Sequence, residues 1–169
     1  MSNEKNLLLY DEQVRQKIRR MAFEIYENNF EEERIILAGL DPMGYRLAEL
    51  LQQNLQEVSP LEVLLIRVKL DKTAPLQSAV ELDKDVASLA KQVVVIVDDV
   101  FNTGRTLAYS FKPFLEIPVK KLQVAVLVDR GHHSFPVQPD YVGYSLSTTI
   151  NEHIEVNLMD EEGHVVYLY

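Results

Sequence analysis

Apolar positions along this chain follow two rhythms. Across residues 11–29, Val14, Ile18, Met21, Ala22, Ile25 and Tyr26 recur at helical spacing. That spacing predicts an amphipathic helix with Asp11 as its N-cap. Continuous apolar runs then appear within 35–40, 60–70, 92–98 and 122–129. Runs of this length, with little polar alternation, predict strands buried on both faces. Between them, residues 45–56 and 106–115 read as helices, the second kinked or ended by Pro113. The polar stretch 71–84, which contains Pro75, reads as a long loop. Shorter strands are predicted at 141–145, 153–158 and 164–169, with a turn at 161–163 leading into the last.

Strands alternating with helices predict an α/β fold with a mainly parallel central sheet flanked by helices, built as a single domain over residues 1–169. In such sheets ligands bind beyond the carboxyl ends of the strands. Three polar clusters follow predicted strands: GLDPMG (39–44), DDVFNTGRT (98–106) and DRGHH (129–133). Parallel strands would bring all three to one edge.

Composition narrows the chemistry. The chain has 169 residues, 47% of them hydrophobic, enough for one sizeable core. Cysteine is absent, so disulfides and thiolate chemistry are excluded, which is compatible with a cytoplasmic protein. No apolar run approaches the ~20 residues of a membrane span, and the first ten residues lack the pattern of a signal peptide. A net charge of −9 argues against non-specific nucleic-acid binding but leaves room for a small anionic substrate. The basic residues Arg15, Lys17, Arg19 and Arg20 flank the apolar stripe of the first helix and read as its solvated face. His132 and His133 lack metal-ligand spacing with His153 and His164, so no zinc site is expected. Asp140 and Asp160 read as loop and turn residues, Glu31 to Glu33 as a solvated lead-in to the first strand, and the terminal VVYLY as sheet core or a dimer contact.

The segment DDVFNTGRT carries the most specific chemistry. Thr103, Gly104, Arg105 and Thr106 open a helix, whose first N–H groups lack internal partners and carry the positive end of the dipole. Gly104 permits close approach of an anion, and two threonines add hydroxyls. This is a cradle for one phosphate group. It is neither a Walker A loop nor a dinucleotide fingerprint, since G-x-x-x-x-G-K-[ST] and G-x-G-x-x-G are both absent. Asp98 and Asp99 lie just upstream. Carboxylates suit hydroxyls and Mg²⁺ rather than phosphate. Together the two halves suit a phosphorylated sugar.

An apolar strand, two acids and T-G-x-T resemble the phosphoribosyl-pyrophosphate signature of type I phosphoribosyltransferases. Residues 122–158, above all VLVDRGH and P-D-Y-V-G, resemble the C-terminal half of bacterial pyrimidine-operon attenuation regulators that double as uracil phosphoribosyltransferases. DEQVRQKIRRMAFEIYENN resembles that family's first helix, and residues 70–90 carry little resemblance. The resemblance implies a type I phosphoribosyltransferase-like fold with a small C-terminal hood. It implies Mg²⁺-dependent transfer of a phosphoribosyl group from phosphoribosyl pyrophosphate to a pyrimidine, uracil in the first instance, by a homodimer or larger assembly. By the same resemblance, Asp98 and Asp99 orient the ribose hydroxyls, with Mg²⁺ held near them through the substrate. Asn102, Thr103, Gly104, Arg105 and Thr106 hold the 5′-phosphate. Gly39, Leu40, Asp41 and Gly44 form the pyrophosphate loop, and Asp129, Arg130 and His132 border the base pocket. Asn102 cannot act as a general base.

The chain departs from that pattern in three places. The family's pyrophosphate loop carries basic residues before its second glycine; here Asp41 and Pro42 stand instead, and Pro42 offers no N–H. The hood's expected Lys and Arg are Tyr144 and Ile150. The loop from Asp71 to Lys91 offers only Lys72 and Lys84 between its ends. Each change removes positive charge, so pyrophosphate should bind more weakly. Two readings remain: an enzyme, or a non-catalytic regulator that senses a nucleotide. RNA binding, which the resembled family performs, fits this acidic chain poorly.

Overall fold

A computed structural model describes residues 4–74, 76, 79–159 and 162–169. The loop residue Pro75, Asp160 and the start of the turn expected at 161–163 lie outside them. The first strand, β1 (Asn6–Leu9), has no counterpart in the sequence reading, because four residues are too few to show a period. Helix α1 (Asp11–Asn29) buries Val14, Ile18, Met21, Ala22 and Ile25 as their spacing dictates. Asp11 is its first residue rather than its cap. The capping bond is made at Tyr10, whose N–H donates to Gln13 Oε1 at 3.1 Å. The Asp11 carboxylate instead accepts the His164 N–H at 2.8 Å and an Arg15 N–H, and both hold it below the usual carboxylate range.

The chain then runs through β2 (Arg34–Leu40), α2 (Met43–Val58), β3 (Glu62–Lys69), a two-residue strand β4 (Glu81–Leu82) within the long loop, and β5 (Val93–Phe101). The helix expected at 106–115 is two pieces, α3 (Arg105–Ser110) and α4 (Lys112–Leu115). Pro113 sits in the first turn of α4, where its missing N–H is tolerated; inside one continuous helix it would break the ladder. Strands β6 (Lys121–Asp129), β7 (Tyr141–Ser145), β8 (Ile154–Asn157) and β9 (Val165–Leu168) complete the fold.

Six strands form one sheet in the order β4-β3-β2-β5-β6-β7, parallel except for β4. Alternate residues of each central strand feed two cores. Ile35, Leu37, Val93, Val95 and Val97 pack with α1 and α2. Ile36, Ala38, Val94, Ile96 and Val126 pack with Leu107 and Phe114 of α3 and α4. Each side chain so buried contributes about 1.5–3 kcal/mol. The expected strand at 92–98 extends to Phe101, because β6 continues alongside and pairs Val100 with Val128 and Phe101 with Asp129. Asp99, expected just past the strand, therefore lies inside it with Asp98.

The hood is a separate antiparallel sheet, β1-β9-β8. Arg46 ties it to α2 by donating to the Leu158 carbonyl at 3.1 Å, and the Asp11–His164 bond ties it to α1. Among the described residues no helix is long and apolar enough to cross a membrane.

Candidate active site

The carboxyl ends of β2, β5 and β6 do meet at one edge. Two glycines set how closely their elements approach. A Cβ on Gly39 would stand 2.4 Å from the Tyr45 Cα, and one on Gly44 would stand 2.6 Å from the Val97 carbonyl oxygen. Only glycine lets α2 start against β2 and β5 in this way.

Beyond β5 the backbone turns at Gly104, whose φ of 86° is left-handed, and α3 begins. No side chain caps this helix at Gly104. Thr103 Oγ1 takes the Arg105 N–H at 3.3 Å, a long bond. The Thr103 carbonyl accepts from the N–H groups of Ser134 and Phe135 at 2.9 and 3.0 Å, so the loop after β6 fixes this peptide from behind.

Asp98 is buried and Asp99 is largely so. Burial, reinforced by the charge of Asp99, pushes the Asp98 carboxyl up to about 8, with Lys72 opposing the shift. Lys72 Nζ lies 2.9 Å from Asp98 Oδ1 and 3.8 Å from Asp99 Oδ1. Burial pulls its ammonium down, but the charges of Asp98, Asp99 and Asp41 outweigh that and the net shift is upward.

Asp98, Asp99, Asn102, Thr103, Gly104, Arg105 and Thr106 line one cavity of about 300 Å³, together with Lys72 and with Ile154 from the hood. The sequence reading named the first seven and left the last two out of the site. Ile154 carried no signal, since its strand is distant in sequence. Lys72 stood out only as one of two cations in a long loop. The other, Lys84, lies elsewhere, in a groove with Arg34 and Leu64.

The remaining expected residues flank this cavity without lining it. On the β2 side, Gly39 and Leu40 end the strand, and the Asp41 N–H donates to the Val68 carbonyl at 2.9 Å. The Asp41–Pro42 peptide is cis. The Asp41 carboxylate is paired with the Arg67 guanidinium, which stacks over the Tyr45 ring at 3.9 Å. Arg67 escaped the sequence reading, although a charge inside the apolar strand VLLIRV was a visible signal.

On the β6 side, the three expected base-pocket residues are engaged with neighbouring loops. Asp129 accepts from His133 Nε2 at 2.9 Å and from the Gly131 N–H at 2.9 Å. His132 Nε2 donates to the Thr148 carbonyl at 2.7 Å. Arg130 donates to Asn102 Oδ1 at 2.8 Å, to Thr148 Oγ1 at 3.0 Å and to the Glu152 carbonyl. It thereby straps the carboxyl end of β5 to the segment that leads into the hood.

A central parallel sheet, a hood, and an acid pair leading into a glycine-initiated helix define a class. Residues 8–161 match the phosphoribosyl transferase domain, and the chain belongs to that family. Within it, the chain is similar to pyrimidine regulators. It is 37% identical over 166 residues to the Bifunctional protein PyrR of Fusobacterium nucleatum, covering 93% of each chain. It is 33% identical over 156 residues to the Pyrimidine operon regulatory protein of Lactococcus lactis, covering 89% of this chain and 88% of that one. Among solved structures, the hypoxanthine phosphoribosyltransferase of Trypanosoma cruzi superposes with a TM-score of 0.79 at 18% identity, covering 96% and 95% of the two chains. A hypoxanthine-guanine phosphoribosyltransferase of Bacillus anthracis superposes with a TM-score of 0.75 at 17% identity, covering 96% of each. At such identities these structures establish the type I fold alone.

Proposed function

We propose that this protein transfers the phosphoribosyl group of phosphoribosyl pyrophosphate to uracil, giving UMP and pyrophosphate. The observation that carries this reading is one cavity lined both by the Asp98–Asp99 pair and by the start of α3. In it, the N–H groups and hydroxyls of residues 103–106 hold the 5′-phosphate. The ribose 2′- and 3′-hydroxyls donate to Asp98 and Asp99, taking the place of Lys72. The anomeric carbon loses pyrophosphate through an oxocarbenium-like state, whose positive charge the acid pair favours, and a ring nitrogen of the base attacks. The choice of a pyrimidine is supported by the relatives named for the pyrimidine operon.

Among the described residues no group of three or more His, Asp or Glu side chains could hold a metal ion. Two carboxylates beside a phosphate cradle nevertheless fit Mg²⁺, provided the substrate and water supply most of its ligands. Asp98 and Asp99 would be the protein's share. When bound, the ion neutralises charge on the departing pyrophosphate.

A second reading, a nucleotide-sensing regulator without turnover, is favoured by one observation. The loop expected to hold pyrophosphate carries Asp41, and Asp41 engages the neighbouring Arg67. Incubation with phosphoribosyl pyrophosphate, Mg²⁺ and a panel of bases, with pyrophosphate release followed, separates the two. Release with uracil supports the transferase, and Asp99→Asn then lowers the rate about 100-fold or more, the scale of one lost transition-state contact. No release with any base, alongside measurable UMP binding, selects the regulator.

A further inference from the structure

The charged groups at this edge alternate in sign across three strands. Arg67 pairs with Asp41, the charge of Asp41 acts on Lys72, and Lys72 contacts Asp98 and Asp99. Asp41 is thus held by Arg67, and the acid pair by Lys72. Neither cation comes from the loop 39–44, which contains no basic residue. Arg67 rises from β3 at the position paired with Gly39, the loop's first residue. Its guanidinium reaches round the loop, touching Asp41 before Pro42 and the Tyr45 ring after Gly44. Stacking on Tyr45 fixes the plane of the fork, and a fixed fork suits phosphoryl oxygens. Lys72 lines the cavity that also holds the start of α3.

We propose that Arg67 and Lys72 are the clamp for the pyrophosphate of the sugar donor, and that this leaving group displaces the Asp41 carboxylate from Arg67. The inference rests on the transferase reading and deepens it: positive charge missing from the pyrophosphate loop is supplied by the next strand and the loop that follows it. Asp41 acts as an internal competitor for the anion, which weakens pyrophosphate binding and eases its release as a product.

Calorimetric titration of the full chain with pyrophosphate and, separately, with ribose 5-phosphate tests this. Arg67→Gln weakens pyrophosphate binding about ten- to a hundredfold, the range of a lost charge-assisted hydrogen bond, and leaves ribose 5-phosphate unchanged. Asp41→Asn tightens pyrophosphate binding. Both variants break the same ion pair, so a purely structural role would move both affinities in the same direction. Opposite signs support the clamp; like signs, or an unchanged pyrophosphate affinity in Arg67→Gln, overturn it. Arg67→Lys keeps the charge and retains part of the binding, which carries the test if the glutamine variant fails to fold. Wild-type protein that binds ribose 5-phosphate but not pyrophosphate overturns the clamp alone. Wild-type protein that binds neither overturns the transferase reading as well.

Discussion

Replacing Gly44 by alanine adds one methyl group where α2 starts against β5. Its carbon would stand 2.6 Å from the Val97 carbonyl oxygen, 3.0 Å from the Asp98 Cα and 3.2 Å from Asp98 Oδ1. The two nearest atoms are backbone, so no rotamer change relieves the clash. The start of α2 must withdraw by about 0.8 Å to restore ordinary contact, against a core formed by Leu47, Ala48 and Leu51. Overpacking of this kind costs about 1–3 kcal/mol, which for a chain of this size lowers the melting temperature by about 2–12 °C. Two of the three crowded atoms belong to Asp98, so affinity for ribose 5-phosphate falls too. Gly131→Ala is the control. Its Cβ would meet only Ser147 Oγ, at 3.9 Å, and it pays just for a left-handed φ of 78°, roughly 1–2 kcal/mol. Thermal melts and ribose 5-phosphate titrations of the two variants decide the matter. A Gly44→Ala protein that melts with the wild type and binds equally well would refute the claim that close packing of α2 positions the acid pair.

Asp98 makes stability depend on pH. Its folded-state carboxyl is pushed up to about 8 from the ordinary 3.8, so between these values the native state keeps a proton that the unfolded chain has released. Stability from this group is therefore present at the acid end and lost as pH rises through about 8; urea midpoints measured across that window should fall in the wild type and stay flatter in Asp98→Asn. Arg130→Met removes the bonds from the guanidinium to Asn102, Thr148 and the Glu152 carbonyl. It should cost about 2 kcal/mol and speed amide exchange across residues 148–153, where a wild-type exchange pattern would show that the strap is dispensable.

The central sheet was legible because its strands are apolar on both faces, a signal that survives without knowledge of neighbours. Helix α1 was legible to the residue because six apolar positions kept one period. The cavity-lining stretch from Asp98 to Thr106 was legible because it is contiguous in sequence. What escaped is non-local. Strand β1 is defined by its partner β9, not by its own four residues. The extension of β5 through Asp99 to Phe101 depends on β6 continuing beside it. Arg67 lies on β3 and Asp41 just after β2, and only the parallel register of β2 and β3 brings them together. The charge of GLDPMG was read from that loop alone, so the guanidinium that pairs with Asp41 stayed out of view.

The pairing of β1 with β9 sets an order in time. Asn6 meets Leu168 across almost the whole chain, whereas β2, β3, β5 and β6 close over much shorter separations. Distant contacts carry the larger entropic penalty and form late. Ile154, which completes the wall of the cavity, belongs to β8, the neighbour of β9. Through β9, the strand that carries Ile154 is tied to β1, so the wall it adds to the cavity leans on a contact between the two ends of the chain.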